Sequence, residues 1–136
     1  MNGEVFLDTN ILVYATVTDD RRSAVARSHL AKGGVISVQV LNEFTNVARR
    51  KLRRPWPEVK EALAVFRLLC KEPLRLSLAT HEAALEIAQR DGLAFYDSLI
   101  VASALEAGCF TLLSEDMQDG RIIAGRLTIR NPFAEV

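Results

Sequence analysis

The sequence lacks a long apolar run, a net charge and a cysteine pattern. No apolar stretch approaches the roughly 18 residues that a membrane-spanning helix requires, and residues 1–4 carry no basic segment of a secretory signal. The 17 acidic residues balance the 17 basic ones, so any binding of nucleic acid must come from local charge separation. Cys70 and Cys109 have no redox or zinc-binding spacing and are predicted to be reduced core residues. We therefore expect a cytoplasmic protein without a membrane contact.

Several catalytic motifs are also missing. The sequence contains no GxxxxGKS or GxxxxGKT phosphate loop, no GxGxxG, no GxSxG and no HExxH. His29 and His81 lie in or near helical patterns, without a serine, a cysteine or a second histidine at a telling spacing. The sequence therefore gives no indication of covalent catalysis by a nucleophile and a histidine base.

Short apolar segments alternate with helical patterns along the 136 residues, a length that suits one domain. The predicted strands are 4–7, 35–38, 75–78, 110–113 and 127–129. The predicted helices are 10–17, 21–32, 39–52, 57–70, 80–90 (capped by Thr80) and 96–107. This alternation predicts a three-layer α/β/α fold with a central parallel sheet of about four to five short strands. In such folds, sites form beyond the carboxyl ends of the strands.

Four acidic residues occupy positions that a solvated helix face does not explain. Asp8 follows the first strand, and Glu43 lies in the early turns of the helix after the second strand. Asp97 lies in a helix that is apolar on nearly every side, and Asp116 directly follows another strand. Each alone can be a helix cap or a partner of the helix dipole, worth about 0.5–2 kcal/mol. Asp119, in a polar loop, fits that simpler interpretation best.

Together the four acids predict a metal site. Three of them closely follow predicted strands, and the carboxyl ends of parallel strands meet at one edge of the sheet. Carboxylates crowded at one place repel each other unless a cation joins them. Ligand sets made only of oxygen suit Mg²⁺ or Mn²⁺. Asp8 would then be a metal ligand at the end of a rigid strand, and Asn10 would be an orienting or hydrogen-bonding group.

These residues stand in blocks that resemble a known family. The segments "FLDTNILVYA", "SVQVLNEF", "FYDSLIVASAL" and "LLSEDMQDG", closed by "IRNPF", are similar in order and spacing to the PIN-domain family. Within that family they resemble VapC-type toxins of bacterial toxin–antitoxin pairs. The resemblance covers the whole chain and implies a single PIN domain over residues 1–136.

The resemblance implies a ribonuclease that depends on Mg²⁺, with Mn²⁺ as the alternative. The family's acidic quartet falls here on Asp8, Glu43, Asp97 and Asp116. Asn10 matches the polar residue that usually follows the first aspartate, and Asp119 could be a further metal ligand. One or two divalent ions would activate a water molecule for in-line attack on a phosphodiester, so no protein nucleophile is required.

A basic segment offers a path for RNA toward this acidic site. "ARRKLRRPW" holds five basic residues in six positions, at the end of the helix that carries Glu43. Arg49, Arg50 and Arg53 are the candidate RNA-binding residues. The alternative, that these cations only stabilise the end of a helix, stays open.

The resemblance also implies protein partners. These are a cognate antitoxin, whose C-terminal segment covers the acidic groove, and a second copy of the chain in a homodimer. An antitoxin Arg or Lys can pair with the acids, while its apolar side chains lie along the outer helices. The candidate surfaces for that segment are residues 12–17 and 57–70.

Other interpretations remain open. A housekeeping nuclease that processes RNA or acts on DNA would carry the same acids, and a catalytically silent PIN domain would only bind. A receiver domain of a response regulator also gathers acids at strand ends, but it needs an acidic pair after the first strand and a lysine after the last. Asp8 stands alone and no lysine follows Lys71, which argues against the receiver.

Overall fold

A computed structural model describes residues 4–18 and 20–134 of the chain. The strands in this part are β1 (Val5–Leu7), β2 (Thr111–Leu113), β3 (Ile122–Ile123) and β4 (Leu127–Arg130). The helices are α1 (Thr9–Thr16), α2 (Asp20–Ala31), α3 (Val38–Arg50), α4 (Trp56–Leu69), α5 (Leu78–Asp91) and α6 (Phe95–Glu106). The predicted α/β class is confirmed. The outermost residues of the predicted domain 1–136 lie outside the described part.

The sheet is mostly parallel and has the strand order β1-β2-β4-β3. β1 pairs with β2, and β2 with β4, in parallel, while β3 is antiparallel to β4. On the free side of β1, Val35 forms a parallel bridge with Phe6. Because β1, β2 and the segment that contains Val35 run in the same direction, the chain leaves all three at one edge of the sheet.

The strands are short, and the apolar side chains that they bury in the core stabilise them. Phe6 and Leu7 of β1 and Leu112 of β2 are buried, and β4 contributes Leu127 and Ile129. In α6, all residues from 98 to 104 are buried, as its nearly uniform apolar character predicted.

Cys70 and Cys109 are free and buried, which confirms the prediction that they are reduced core residues. No helix in the described residues is both long and apolar enough to span a bilayer.

Two predicted strands are wrong in detail. The segment 35–38 forms only isolated bridges at Val35 and Ser37, and Val38 already belongs to α3. The segment 75–78 is not a strand, because Ser77 caps α5 and Leu78 is the first residue of that helix. Ser77 accepts a hydrogen bond from the Thr80 backbone N–H and donates its own N–H to the Thr80 hydroxyl, a capping box. Thr80 is therefore the third helical residue, rather than the predicted cap.

β3, a strand of two residues that pairs with β4, was not predicted from the sequence. The predicted end of a helix agrees with the structure to within one residue where a glycine follows α5. α5 ends at Gly92, which adopts the left-handed conformation with φ of 69° and donates its N–H to the Ala88 carbonyl.

Candidate active site

Asp8 is the first residue after β1 and lies at the base of the site. It is buried, with 4% of its surface exposed, and its backbone N–H donates to the Leu113 carbonyl on β2. One carboxylate oxygen accepts from the Thr9 N–H at 2.7 Å, so Asp8 also caps α1. The other oxygen accepts from the Ser114 hydroxyl at 2.8 Å. The sheet and the two hydrogen bonds fix this carboxylate in one orientation.

Glu43 reaches the same edge from the second turn of α3, whose first turn follows directly from the segment beside β1. Its two carboxylate oxygens accept from different neutral donors. The Thr9 hydroxyl donates at 2.7 Å, and the side-chain amide of Gln39 donates at 3.0 Å from one turn earlier in α3. Thr9 therefore connects the neighbourhoods of Asp8 and Glu43 through its backbone and its side chain.

Asp97 and Asp116 complete the acidic group. Asp97 lies half-buried in the first turn of α6, and Asp116 is exposed in the loop after β2. The Asn10 side chain holds that loop by donating to Asp116 at 3.3 Å and accepting from the Glu115 backbone N–H at 3.3 Å. Asn10 therefore fastens the start of α1 to the loop that carries the fourth acid.

The acids affect one another electrostatically. Burial is the main reason that the pKa of Asp8 is raised to about 7; the charges of Glu43 and Asp97 contribute to the rise, and its hydrogen bonds from Ser114 and Thr9 oppose it. Burial also raises the pKa of Asp97, and the charges of Asp116 and Glu43 add to that shift. The four predicted acids thus form one cluster, and none of them has an ion-pair partner among the described residues.

The donors of this cluster suit a hard divalent cation, because they are oxygen atoms without a cysteine or histidine. Within residues 4–18 and 20–134, however, no three acidic, histidine or cysteine side chains converge closely enough to hold an ion together. Both oxygens of Glu43 are instead hydrogen-bonded to neutral donors, Thr9 and Gln39. The fixed Asp8 carboxylate and the uncompensated charge nevertheless fit a cation at this edge.

A cleft of about 450 Å³ opens above Glu43 and Asp116. Its apolar and aromatic side chains are Val13, Tyr14, Val47 and Leu52, and its polar lining comes from Thr9, Asn10, Glu43, Asn46, Lys51, Glu115 and Asp116. Lys51 is the basic residue in this lining. The cleft is large enough for part of a ligand chain, and its lining combines one basic residue with acidic ones.

Of the predicted site residues, Asn10, Glu43 and Asp116 line the cleft, whereas the others do not: Asp8, Asp97, Asp119, Arg49, Arg50 and Arg53. Asp119 is exposed and accepts a hydrogen bond from the Asn131 backbone N–H at 2.9 Å, which holds the chain after β4. The Arg49 guanidinium lies 4.4 Å from the centre of the Trp56 ring and donates to the Arg54 carbonyl. Arg50 and Arg53 are exposed. Asp119 and Arg49 therefore have clear structural contacts of their own.

Four further residues contact the acids or their loop without having been predicted from the sequence: Thr9, Gln39, Ser114 and Glu115. Thr9 and Ser114 hold Asp8 directly, and Glu115 accepts from the Tyr14 hydroxyl at 2.9 Å and from Arg22 at 3.2 Å. A signal for the first three was present. Each is a hydroxyl or an amide close in sequence to a predicted acid: Thr9 follows Asp8, Gln39 lies one helical turn before Glu43, and Ser114 lies two residues before Asp116.

Comparisons with known proteins agree on the fold. The family model described as the PIN domain matches residues 5–118. VapC20 of Mycobacterium tuberculosis, described as a toxin that cleaves the sarcin-ricin loop, superposes with a TM-score of 0.68 at 20% identity, over 90% of this chain and 98% of that one. No curated protein matches the chain in sequence.

Two further solved structures are similar. VapBC2 of Rickettsia felis, bound to a DNA fragment of its promoter, gives a TM-score of 0.65 at 22% identity, over 93% of this chain and 97% of that one. A toxin–antitoxin complex from Klebsiella pneumoniae gives 0.69 at 19% identity, over 94% and 97%. At these identities the likeness is one of fold.

The raised pKa of Asp8 leads to a prediction about stability without metal. Because its pKa is about 7 in the folded chain and near 3.8 otherwise, the folded state binds more protons than the unfolded state between these values. The free energy of unfolding should therefore fall as the pH rises through this range, by up to about 1.4 kcal/mol per pH unit from this group. Asp8→Asn should flatten that slope and be more stable than the original chain at pH 8 in EDTA.

Urea unfolding at several pH values measures this effect. Asparagine can accept from the Thr9 N–H and donate to the Ser114 hydroxyl, so the replacement keeps both contacts. The matched control is Asp119→Asn, an exposed acid outside the cluster, which should leave the pH dependence unchanged. An Asp8→Asn variant that is less stable than the original chain at pH 8 would contradict the prediction.

Proposed function

This chain belongs to the PIN-domain family, and we propose on that basis that it is a divalent-metal-dependent endoribonuclease, the toxin of a toxin–antitoxin pair. The observation that carries the proposal is the cluster of Asp8, Glu43, Asp97 and Asp116 at one edge of the sheet, in which burial and repulsion raise the pKa of two members. Such an arrangement costs stability without a cation, which is typical of a site kept for function.

The cluster would hold Mg²⁺ or Mn²⁺ through Asp8, Asp97, Asp116 and Glu43. When bound, the ion supplies Lewis-acid stabilisation of the charge that develops on a phosphodiester and a more acidic water molecule for hydrolysis. The chain's own contribution is orientation. Ser114 and Thr9 hold the Asp8 carboxylate, while Gln39 and Thr9 hold the Glu43 carboxylate.

The cleft offers no protein nucleophile of ordinary type. Its lining contains no cysteine or histidine among the described residues. The Thr9 hydroxyl donates to Glu43, and the Tyr14 hydroxyl donates to Glu115. We therefore propose that a water molecule is the attacking group and that the reaction class is hydrolysis.

An apolar groove supports the proposal of an antitoxin. It has a volume of about 360 Å³, lies between α1, α2 and α4, and is lined by Ala15, Leu30, Ala62, Val65, Phe66 and Leu69, among others. Val65 and Leu69 are partly exposed there, and the candidate surfaces 12–17 and 57–70 both contribute. Two of the similar structures are described as VapBC2 and as a toxin–antitoxin complex. A homodimer stays a prediction, which light scattering of the purified chain tests.

The acids should act as a unit in catalysis. Asp8→Asn and Asp97→Asn should each lower RNA cleavage at least roughly a hundredfold, the scale expected when a main electrostatic stabiliser is removed. Purified variants incubated with total RNA and Mg²⁺, Mn²⁺ or EDTA, followed by mapping of the cleaved ends, measure this. Asp119→Asn is the control and should retain most of the activity. Full activity of both main variants would rule out the assignment.

The basic residues should affect RNA affinity rather than chemistry. Lys51→Gln should weaken binding of single-stranded RNA and reduce the salt slope by about 0.7, because Lys51 lines the cleft. The combined replacement of Arg49, Arg50 and Arg53 by glutamine tests the earlier candidates in parallel. Binding titrations at several salt concentrations separate the two sets. Unchanged slopes in both would mean that the segment only closes a helix.

The groove should be needed for inhibition by the partner. Co-expression with the product of the adjacent upstream gene should give a stable complex, loss of ribonuclease activity and rescue of growth. Val65→Glu should break that complex while the chain itself still cleaves RNA, because the charge lies in the apolar groove and away from the acids. Leu85→Glu on α5, with 48% of the original side chain exposed, is the control. RNA cleavage without any effect on growth would favour the housekeeping nuclease.

A further inference from the structure

A second hollow adjoins the acidic cluster on the side away from Lys51. We call it the amide groove; it has a volume of about 410 Å³ and is lined by Gln39, Asn42, Glu43, Asn46 and Tyr96. Positions 39, 42, 43 and 46 lie on one face of α3, as helical spacing requires. The opposite face of α3 packs into the core through Val40, Phe44 and Ala48. The groove is therefore built on a rigid helix rather than on a loop.

Gln39 and Glu43 are hydrogen-bonded to each other, but the other three side chains of the amide groove make no hydrogen bond within the described residues. Asn42 and Asn46 are exposed, and within the described residues their side chains make no hydrogen bond. Tyr96 is 63% exposed; its ring contacts Phe95 edge-on, and its hydroxyl likewise has no hydrogen bond in the described part. An exposed aromatic ring beside available carboxamides is typical of a recognition surface.

The chemistry of the lining selects the kind of group that can bind. The lining contains the Glu43 carboxylate and no lysine or arginine, so a phosphate group would be repelled here. Carboxamides both donate and accept hydrogen bonds in one plane, as the edges of nucleobases do. An exposed tyrosine ring provides a face for stacking, and unpaired bases of RNA are commonly bound in this way.

The position of the groove relates it to the cleft. Glu43 and Asn46 line both hollows, and Tyr96 precedes Asp97 in the first turn of α6. A phosphodiester held at the acids would therefore have one of its own neighbouring bases beside the amide groove. The cleft, with Lys51, remains on the other side for the continuing backbone.

We propose that the amide groove binds an unpaired base that flanks the cleaved phosphodiester, with Tyr96 stacked on the base and Asn42 and Asn46 hydrogen-bonded to its edge. The proposal rests on the proposed nuclease function, because it assigns a specificity subsite to the same active site. It predicts that affinity at this place depends on the base and not on the phosphate.

The test separates bases from phosphates. Anisotropy measures binding of fluorescein-labelled short oligoadenylate, oligocytidylate, oligouridylate and an abasic ribose-phosphate chain in Mg²⁺, in the Asp8→Asn background so that turnover does not interfere. Adding Tyr96→Ala should weaken the best-bound oligonucleotide roughly 5- to 100-fold and leave the abasic chain unchanged. Tyr96→Phe keeps the ring and should retain most of the affinity. Asn42→Leu and Asn46→Leu should alter the preference among the three bases.

The matched control is Phe110→Ala. Phe110 is 47% exposed and precedes β2 at the opposite edge of the sheet, so its removal should change neither affinity nor preference. Circular dichroism of each variant checks that the fold is retained. Equal binding by the Tyr96→Ala variant, or no base-dependent binding at all, overturns the proposal. A change in oligomeric mass with unchanged RNA binding also overturns it, because the groove would then be an interface between copies.

Cleavage by the chain with an intact Asp8 distinguishes this proposal from the proposed function. Base-dependent binding without cleavage in any metal would refute the nuclease and leave the groove as a binding subsite. Cleavage at unchanged positions and with an unchanged KM in Tyr96→Ala would refute the groove and leave the nuclease.

Discussion

The charge of Asp8 is buried at the end of β1 with no cationic partner among the described residues, and the surrounding structure compensates for it only in part. Thr9 and Ser114 donate hydrogen bonds to its two oxygens, yet burial and the neighbouring acids still raise its pKa to about 7. A carboxylate in this state favours any cation that can approach it. The polar groups nearby therefore serve to orient the acids: Thr9 and Ser114 contact Asp8, and Thr9 and Gln39 contact Glu43.

The parallel sheet is what brings the acids together. Hydrogen bonds from the Asp8 N–H to Leu113 and from the Ser114 N–H to Arg130 continue the strand pairing past the ends of β1 and β2. They place Asp8 and Ser114 side by side, although 106 residues separate them in sequence. Asn10 then connects α1 to the loop of Asp116. Each acid is thus carried by a different element, and the sheet edge sets their common position.

Two hollows with different chemistry flank Glu43. The cleft contains Lys51 and apolar side chains, whereas the amide groove contains carboxamides and Tyr96. In the proposed nuclease, this difference would orient the RNA, with a base bound in the amide groove and the continuing backbone in the cleft. The apolar groove between α1, α2 and α4 shares no lining residue with either hollow.

Apolar periodicity and an acid after a buried strand are local signals, so the α/β class and most helix positions were predictable from the sequence, and the four acids could be singled out as candidates. The sequence did not determine that Ser77 starts a helix where a strand was predicted, since a capping box competes there with a short apolar run. Other features follow from tertiary packing alone. Ser114 and Gln39 donate hydrogen bonds to Asp8 and Glu43. Asp119 accepts a hydrogen bond from Asn131, and Lys51 rather than Arg49 lines the cleft. These contacts depend on which side chains of distant segments meet at the edge of the sheet, and the spacing of residues along the chain does not predict such contacts.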